Sequence, residues 1–250
     1  LYFFILVNTL TFSQKKKGIV EMDSVKYYLE LSLFNAKDNN YKNALFYTQK
    51  SIDYAHSLKK IKDEAKSYSS MGHIYFELKK YDDAIKSYTK SLSLSKYFEP
   101  NSTQAVSHYF LGMCYMQKKE YNKASSNFQK AESIYNSLKI TVASDLIKLQ
   151  KGIIYQSKGE FDLASNIFNE IIAKPDNQVN LDCKAGALYQ IGNIEMVVNR
   201  NNLALNYFNK ALALNSKTNN FEQKSSILLA LSNVYEKMLD ENNAYSYLKQ

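Results

Sequence analysis

Proline and glycine are scarce in this chain, with two prolines and seven glycines in 250 residues. That scarcity excludes collagen-like, proline-rich and many-turned β architectures, and it suits long uninterrupted helices. Two cysteines, Cys114 and Cys183, are too few for a scaffold built on disulfides. Arginine is nearly absent: Arg200 stands alone among 32 basic residues. Base-edge and bidentate phosphate recognition lean on arginine forks, so a net charge of +8 carried by lysine does not point to nucleic acid. The lysines are spread out, with Lys15-Lys16-Lys17 as the one cluster, and the 25 asparagines beside them fit a bias toward AT-rich codons equally well.

Catalytic motifs are missing too. There is no Gly-rich phosphate loop, no His-Glu-x-x-His, no Cys-x-x-Cys and no Gly-x-Ser-x-Gly. The three histidines, His56, His73 and His108, are scattered singly. The acidic pairs Asp82-Asp83 and Asp240-Glu241 fall where helix capping explains them. No catalytic, cofactor-binding or metal-ligating residue is assigned, and no cofactor is expected. What is present is apolar: 45% hydrophobic and 14% aromatic residues rule out intrinsic disorder.

The first fourteen residues differ from the rest. Leu1 to Val7 is an uninterrupted apolar run that fades through Asn8 to Phe12 and meets the lysine cluster after Gln14. It is shorter than the ~20 residues of a spanning helix and fits the apolar core of a secretory signal peptide. Residues 1–14 therefore read as the remnant of such a leader and 15–24 as a linker. The alternative is an apolar N-terminal helix packed on the first repeat.

From residue 25 the chain repeats every forty residues. Gly72, Gly112, Gly152 and Gly192 mark the period, with Ser32 and Ser232 one step outside. Twelve residues after each mark stands an alanine: Ala44, Ala84, Ala124, Ala164, Ala204 and Ala244. Sixteen after come Thr48, Tyr88, Phe128, Phe168, Phe208 and Leu248. Small residues let two helices approach closely and the large ones fill the seam between them. Asp82, Asn122, Asp162, Asn202 and Asn242 are expected to cap the second helix of each pair. Tyr41, Tyr81, Tyr121 and Phe161 are expected to anchor the turn, with looser turns at Asn201 and Glu241. The two cysteines lie in different repeats, too far apart for a disulfide.

Three stretches carry a resemblance: Tyr68-x-x-Met71-Gly72-x-x-Tyr75 with Ala84 and Tyr88, His108-x-x-Leu111-Gly112-x-x-Tyr115 with Ala124, Phe128 and Ala131, and Leu188-x-x-Ile191-Gly192 with Ala204, Phe208 and Ala211. The pattern resembles the tetratricopeptide repeat family over about residues 25–250. The resemblance implies an all-α fold, an α-solenoid of six helix-turn-helix units wound as a right-handed superhelix. The units would run about 25–64, 65–104, 105–144, 145–184, 185–224 and, truncated, 225–250. Each is six residues longer than the usual 34 and lacks its closing proline, so the second helix or the inter-repeat loop must be longer. Repeat four departs further, with Lys148 and Lys151 where bulky apolar residues are usual.

The resemblance also implies a protein or peptide partner held in a concave groove lined by the first helix of each unit. Carried over position by position, the lining is His73, Phe76, Tyr109, Met113, Met116, Gln117, Ile153, Gln156, Tyr189, Asn193, Met196 and Asn233. Its middle is apolar and adaptable, which suits a helix or an extended peptide. The cationic half of a carboxylate clamp is lacking. The expectation is a non-catalytic peptide-binding module that binds no nucleic acid, serving as the exported, periplasmic sensor region of a bacterial histidine kinase or transcriptional regulator. A membrane tether would lie outside this fragment. A free-standing interaction scaffold, and a cytoplasmic location, are the alternatives.

Overall fold

The computed structural model describes residues 24–140, 142–177, 179–218 and 220–249. The expected leader, and all of the expected linker except Ser24, lie outside the described residues. Among those described, twelve α-helices follow one another without a strand: α1 (Ser24–Lys37), α2 (Tyr41–Ser57), α3 (Ile61–Glu77), α4 (Tyr81–Ser95), α5 (Ser102–Gln117), α6 (Tyr121–Ser137), α7 (Val142–Ser157), α8 (Phe161–Ile172), α9 (Leu181–Val197), α10 (Asn201–Asn215), α11 (Phe221–Lys237) and α12 (Glu241–Leu248). They form two compact units, one running to Lys96 and one from Tyr97 onward. Unit 1 stacks two helical hairpins and unit 2 stacks four. The first helix of each hairpin is helix A and the second is helix B. No described helix is long and apolar enough to cross a membrane.

The forty-residue marks are the joints of these hairpins. A Cβ built on Gly112 would sit 2.6 Å from the Phe128 ring, and one on Gly192 2.5 Å from Phe208. Gly72 faces Tyr88 and Gly152 faces Phe168 in the same way. All four rings are fully buried, so each A helix lacks a side chain where its B helix inserts a ring. The first hairpin solves the same joint with hydroxyls: Ser32 and Thr48 hydrogen-bond at 2.5 Å, both fully buried. In the last hairpin Ser232 Oγ donates to the Ala244 carbonyl at 3.0 Å. Leu248, at the register of the buried rings, is instead 55% exposed. In α12 the alanine mark, Ala244, is buried, but the ring position is not.

The extra residues of each unit lie mostly in the helices, which reach 17 residues in α2, α3 and α6. Repeat four is the exception. There α8 has 12 residues, and Pro175 lies in the loop that leads to α9.

The expected caps are not caps. Helix B opens two residues earlier than the sequence suggests, so Asp82, Asn122, Asp162, Asn202 and Asn242 are its second residue. The capping positions are Asn40, Lys80, Glu120, Glu160, Arg200 and Asp240, and of these only Asn40 and Asp240 accept a first-turn amide through the side chain. The backbone closes the A–B turn by itself. Asn39, Lys79, Lys119, Gly159, Asn199 and Leu239 adopt a left-handed conformation, with φ between 57° and 80°. The next amide then reaches back five residues, as in Lys80 N–H to the Tyr75 carbonyl at 2.9 Å. Turns five and six are no looser, at 2.8 Å for Arg200 to Glu195 and 2.9 Å for Asp240 to Tyr235.

The lysines of repeat four find carboxylates on neighbouring helices. Lys148 Nζ bonds Glu170 at 2.9 Å, and Lys151 Nζ bonds Glu132 at 2.6 Å. A second ionic group straps the loop after α8. Lys174 bonds the buried Asp145, and Lys184 Nζ donates to the Lys174 carbonyl at 2.7 Å and to Asp176 at 2.8 Å. Cys114 and Cys183 are free, buried thiols, and burial pushes both up to about 12, which keeps them unreactive.

One register position of helix A is buried in five hairpins and exposed in the first described one. Ile74, Cys114, Ile154, Ile194 and Val234 occupy one position of helix A and are at most 5% exposed. Phe34 holds that position in α1, the first described helix, and is 64% exposed. Phe34→Ser is therefore expected to change stability by no more than about 0.5 kcal/mol in a urea titration, as for an ordinary surface site.

Candidate functional site

Stacked hairpins bury one face of each A helix against its own B helix and leave another face only half covered. Two of the twelve lining residues belong to unit 1. His73 is half-buried on α3, with Nε2 3.9 Å from Glu77 Oε1. Phe76, one turn on, sets its ring edge-on to Tyr81, with centroids 5.8 Å apart. Glu77, exposed one turn from His73, gives this part of the face a negative charge.

Unit 2 holds the other ten, and they differ in depth. Tyr109 packs inward: its ring tilts onto Phe128 at 5.7 Å, and burial pushes its phenol up to about 12. Tyr189 leans on Phe208 at 5.6 Å in the equivalent way. These two rings cover the buried aromatics rather than standing free.

Met113 and Met116 flank the core of Ala124, Phe128 and Ala131, Ile153 flanks that of Leu149 and Phe168, and Met196 flanks that of Leu188 and Phe208. All four are half-buried, so part of each side chain remains open to water. Asn193 is half-buried and donates through Nδ2 to Gln190 Oε1 at 3.3 Å. Gln156 is half-buried, with Oε1 shut off from solvent and without a hydrogen-bond partner. Gln117 and Asn233 are exposed at the margins. The A helices α7 and α9 pack on each other because Gly186 allows it, a Cβ there lying 3.1 Å from Leu149.

Four surface depressions of unit 2 are lined by none of the twelve residues. One of them, between Glu132, Lys151, Tyr155 and Lys158, is ionic and surrounds the Lys151–Glu132 pair. Periodicity did not single out the strap of Asp145, Lys174, Asp176 and Lys184, whose members do not recur together in any other repeat. Among the described residues no group of three or more His, Cys, Asp or Glu side chains is placed to hold a metal ion.

Residues 63–137 match the family profile described as tetratricopeptide repeat. No curated protein matches the chain in sequence. Several solved structures are similar in fold, three of them as follows. The Cut9–Hcn1 hetero-tetramer of the APC/C has a TM-score of 0.65 at 17% identity over 91% of this chain. The quorum sensor NprR from B. thuringiensis, in its apo form, has 0.70 at 13% identity over 90%. A Rap protein complexed with competence and sporulation factor has 0.70 at 10% identity over 90%. This chain spans 39% of the first, 63% of the second and 73% of the third, so it covers less than two thirds of the first two. At such identities the likeness is one of fold.

Proposed function

We propose that this array of tetratricopeptide repeats is a non-catalytic module that recognises a peptide segment through the half-covered A-helix face of unit 2. We propose further that it is the exported sensor region of a bacterial signal-transduction protein. The observation that carries the first statement is the repetition of half-buried side chains at one register of three A helices: Met113 and Met116 on α5, Ile153 and Gln156 on α7, Asn193 and Met196 on α9. Core packing needs only one flank of each, and three A helices presenting the same register is what a linear ligand can track.

The sensor reading is supported by two of the similar structures, which are described as a quorum sensor and as a Rap protein complexed with competence and sporulation factor. The scaffold reading has its own support in the Cut9–Hcn1 hetero-tetramer. Selection of hexapeptides from a display library separates a binding face from mere surface. The wild type should enrich a convergent set, and Met116→Lys with Ile153→Lys should bind that set at least tenfold more weakly at an unchanged circular dichroism spectrum. Equal binding by the variant would sink the reading.

Export rests on residues 1–14 alone. Fused to alkaline phosphatase stripped of its own leader, residues 1–24 should yield active enzyme in the periplasm. A wholly cytoplasmic, inactive fusion would remove the export step and leave the binding module in the cytoplasm.

A further inference from the structure

Three positions of an A helix form the register on which the preceding B helix stacks, and in α1 they hold Tyr27, Leu31 and Phe34. In α3, α7, α9 and α11 this register is closed. Ser67, Ile147, Ala187 and Ile227 are fully buried at the place of Tyr27, and Ile74, Ile154, Ile194 and Val234 are buried at the place of Phe34. The B helix before each makes the cover, as the Ser51–Ser67 hydroxyl bond at 2.8 Å and the Lys151–Glu132 pair show. In α1 the same register is open: Tyr27 and Phe34 are exposed, Leu31 is half-buried, and Leu33 beside them is exposed too.

The covering helices α2, α6, α8 and α10 have 12 to 17 residues. Removal of the proposed leader takes away residues 1–14 with anything before them, and leaves residues 15–23 ahead of α1. That stretch is shorter than any covering helix, and five of its side chains are charged: Lys15, Lys16, Lys17, Glu21 and Asp23. A contiguous apolar patch left in water marks an interaction surface. The charges beside it say which partner fits. Glu30, Leu33, Phe34 and Lys37 are all exposed and share one face of α1 at helical spacings of three and four. An acid stands at one end, a base at the other and an apolar pair between them, so the stripe complements its own reverse.

We infer, resting on the leader reading above, that a second copy of this chain covers α1, the two α1 helices packing antiparallel about a two-fold axis between Leu33 and Phe34. Leu33 then meets Phe34 of the second copy and Glu30 meets Lys37 of the second copy, and the symmetry makes each contact twice. A parallel pair would set Glu30 against Glu30 and Lys37 against Lys37, and those like charges exclude it. No other A helix repeats the stripe, because Ser70, Phe110, Gln150, Gln190 and Ala230 stand at the register of Glu30. Lys26 lies 3.9 Å from Glu30 within α1, but both are exposed and the pair holds Glu30 only weakly. The 14 residues of α1 span about 21 Å, so the interface is small and the dimer is a weak one.

Sedimentation equilibrium on the protein recovered from the periplasm, with its N-terminus read by mass spectrometry, tests this. The wild type should show a monomer–dimer equilibrium. Glu30→Lys and Lys37→Glu should each dimerise at least tenfold more weakly, since each sets like charges face to face. Mixed with one another, these two variants should pair as tightly as the wild type, because every lysine of one then faces a glutamate of the other. Phe34→Ser should also dimerise at least tenfold more weakly, with its urea midpoint in dilute solution unmoved. A cleaved chain that stays monomeric, a dimer indifferent to Glu30→Lys, or a mixture that does not pair overturns the inference and leaves the leader reading standing. A monomer that keeps residues 1–14 overturns both. Neither result touches the binding face of unit 2.

Discussion

Gly112→Ala should lower stability by about 1–3 kcal/mol, although alanine is worth about 1 kcal/mol more than glycine in an unconstrained helix interior. The sign reverses because the new Cβ would lie 2.6 Å from the Phe128 ring, and that ring is fully buried with nowhere to move. The first hairpin shows the way out. There a serine in the glycine position faces a threonine in the ring position, and the two hydroxyls bond at 2.5 Å. Phe128→Thr alone should cost about 3–5 kcal/mol through the cavity it leaves. Gly112→Ser combined with Phe128→Thr rebuilds the Ser32–Thr48 pair and should cost at least about 1 kcal/mol less than the sum of the single changes. Denaturant midpoints of the four proteins decide it. Strict additivity would mean that glycine and ring are not one joint.

Lys174→Met is the second large effect, expected at about 3 kcal/mol. Asp145 is 4% exposed, and Lys174 is the cation bonded to it. Removing one partner of a buried pair strands the other charge, at a cost of about 3–5 kcal/mol; the low end applies because the lysine side chain is 36% exposed. Asp145→Leu in the same protein should recover most of the loss, since no charge is then left stranded. Lys86→Met is the contrast: its partner Asp83 is 48% exposed at 3.4 Å, and the change should stay below about 0.5 kcal/mol. Equal losses from Lys174→Met and Lys86→Met would contradict the strap.

Glycine, alanine and ring positions were legible in the sequence because each must meet the others across one joint, and that requirement recurs every forty residues. Helix caps were misjudged for a physical reason. The A–B turn closes through backbone bonds around a left-handed residue, and lysine, asparagine or leucine fills that place in five of the six turns, so no glycine signal announces it. The strap around Lys174 was invisible because it belongs to one repeat only. For the candidate face, the period placed residues at the right register but not at the right depth. Tyr109 and Met113 look equivalent on a helix projection, yet burial pushes the phenol up to about 12 while the thioether stays half open. Gln156 was legible as a lining residue. That its oxygen lacks a donor depends on packing, which no spacing records.

Methionine itself offers the most direct test of the binding face. The chain has six, of which Met113, Met116 and Met196 lie on the face, Met71 and Met238 lie elsewhere, and Met22 is outside the described residues. With methyl-labelled methionine, a spectrum of six signals can be monitored while a hexapeptide selected from the display library is added. Met113, Met116 and Met196 are expected to shift together and saturate, with Met71 and Met238 unmoved. Shifts confined to Met71 or Met238, or no shift at all, would contradict a binding face on these three A helices.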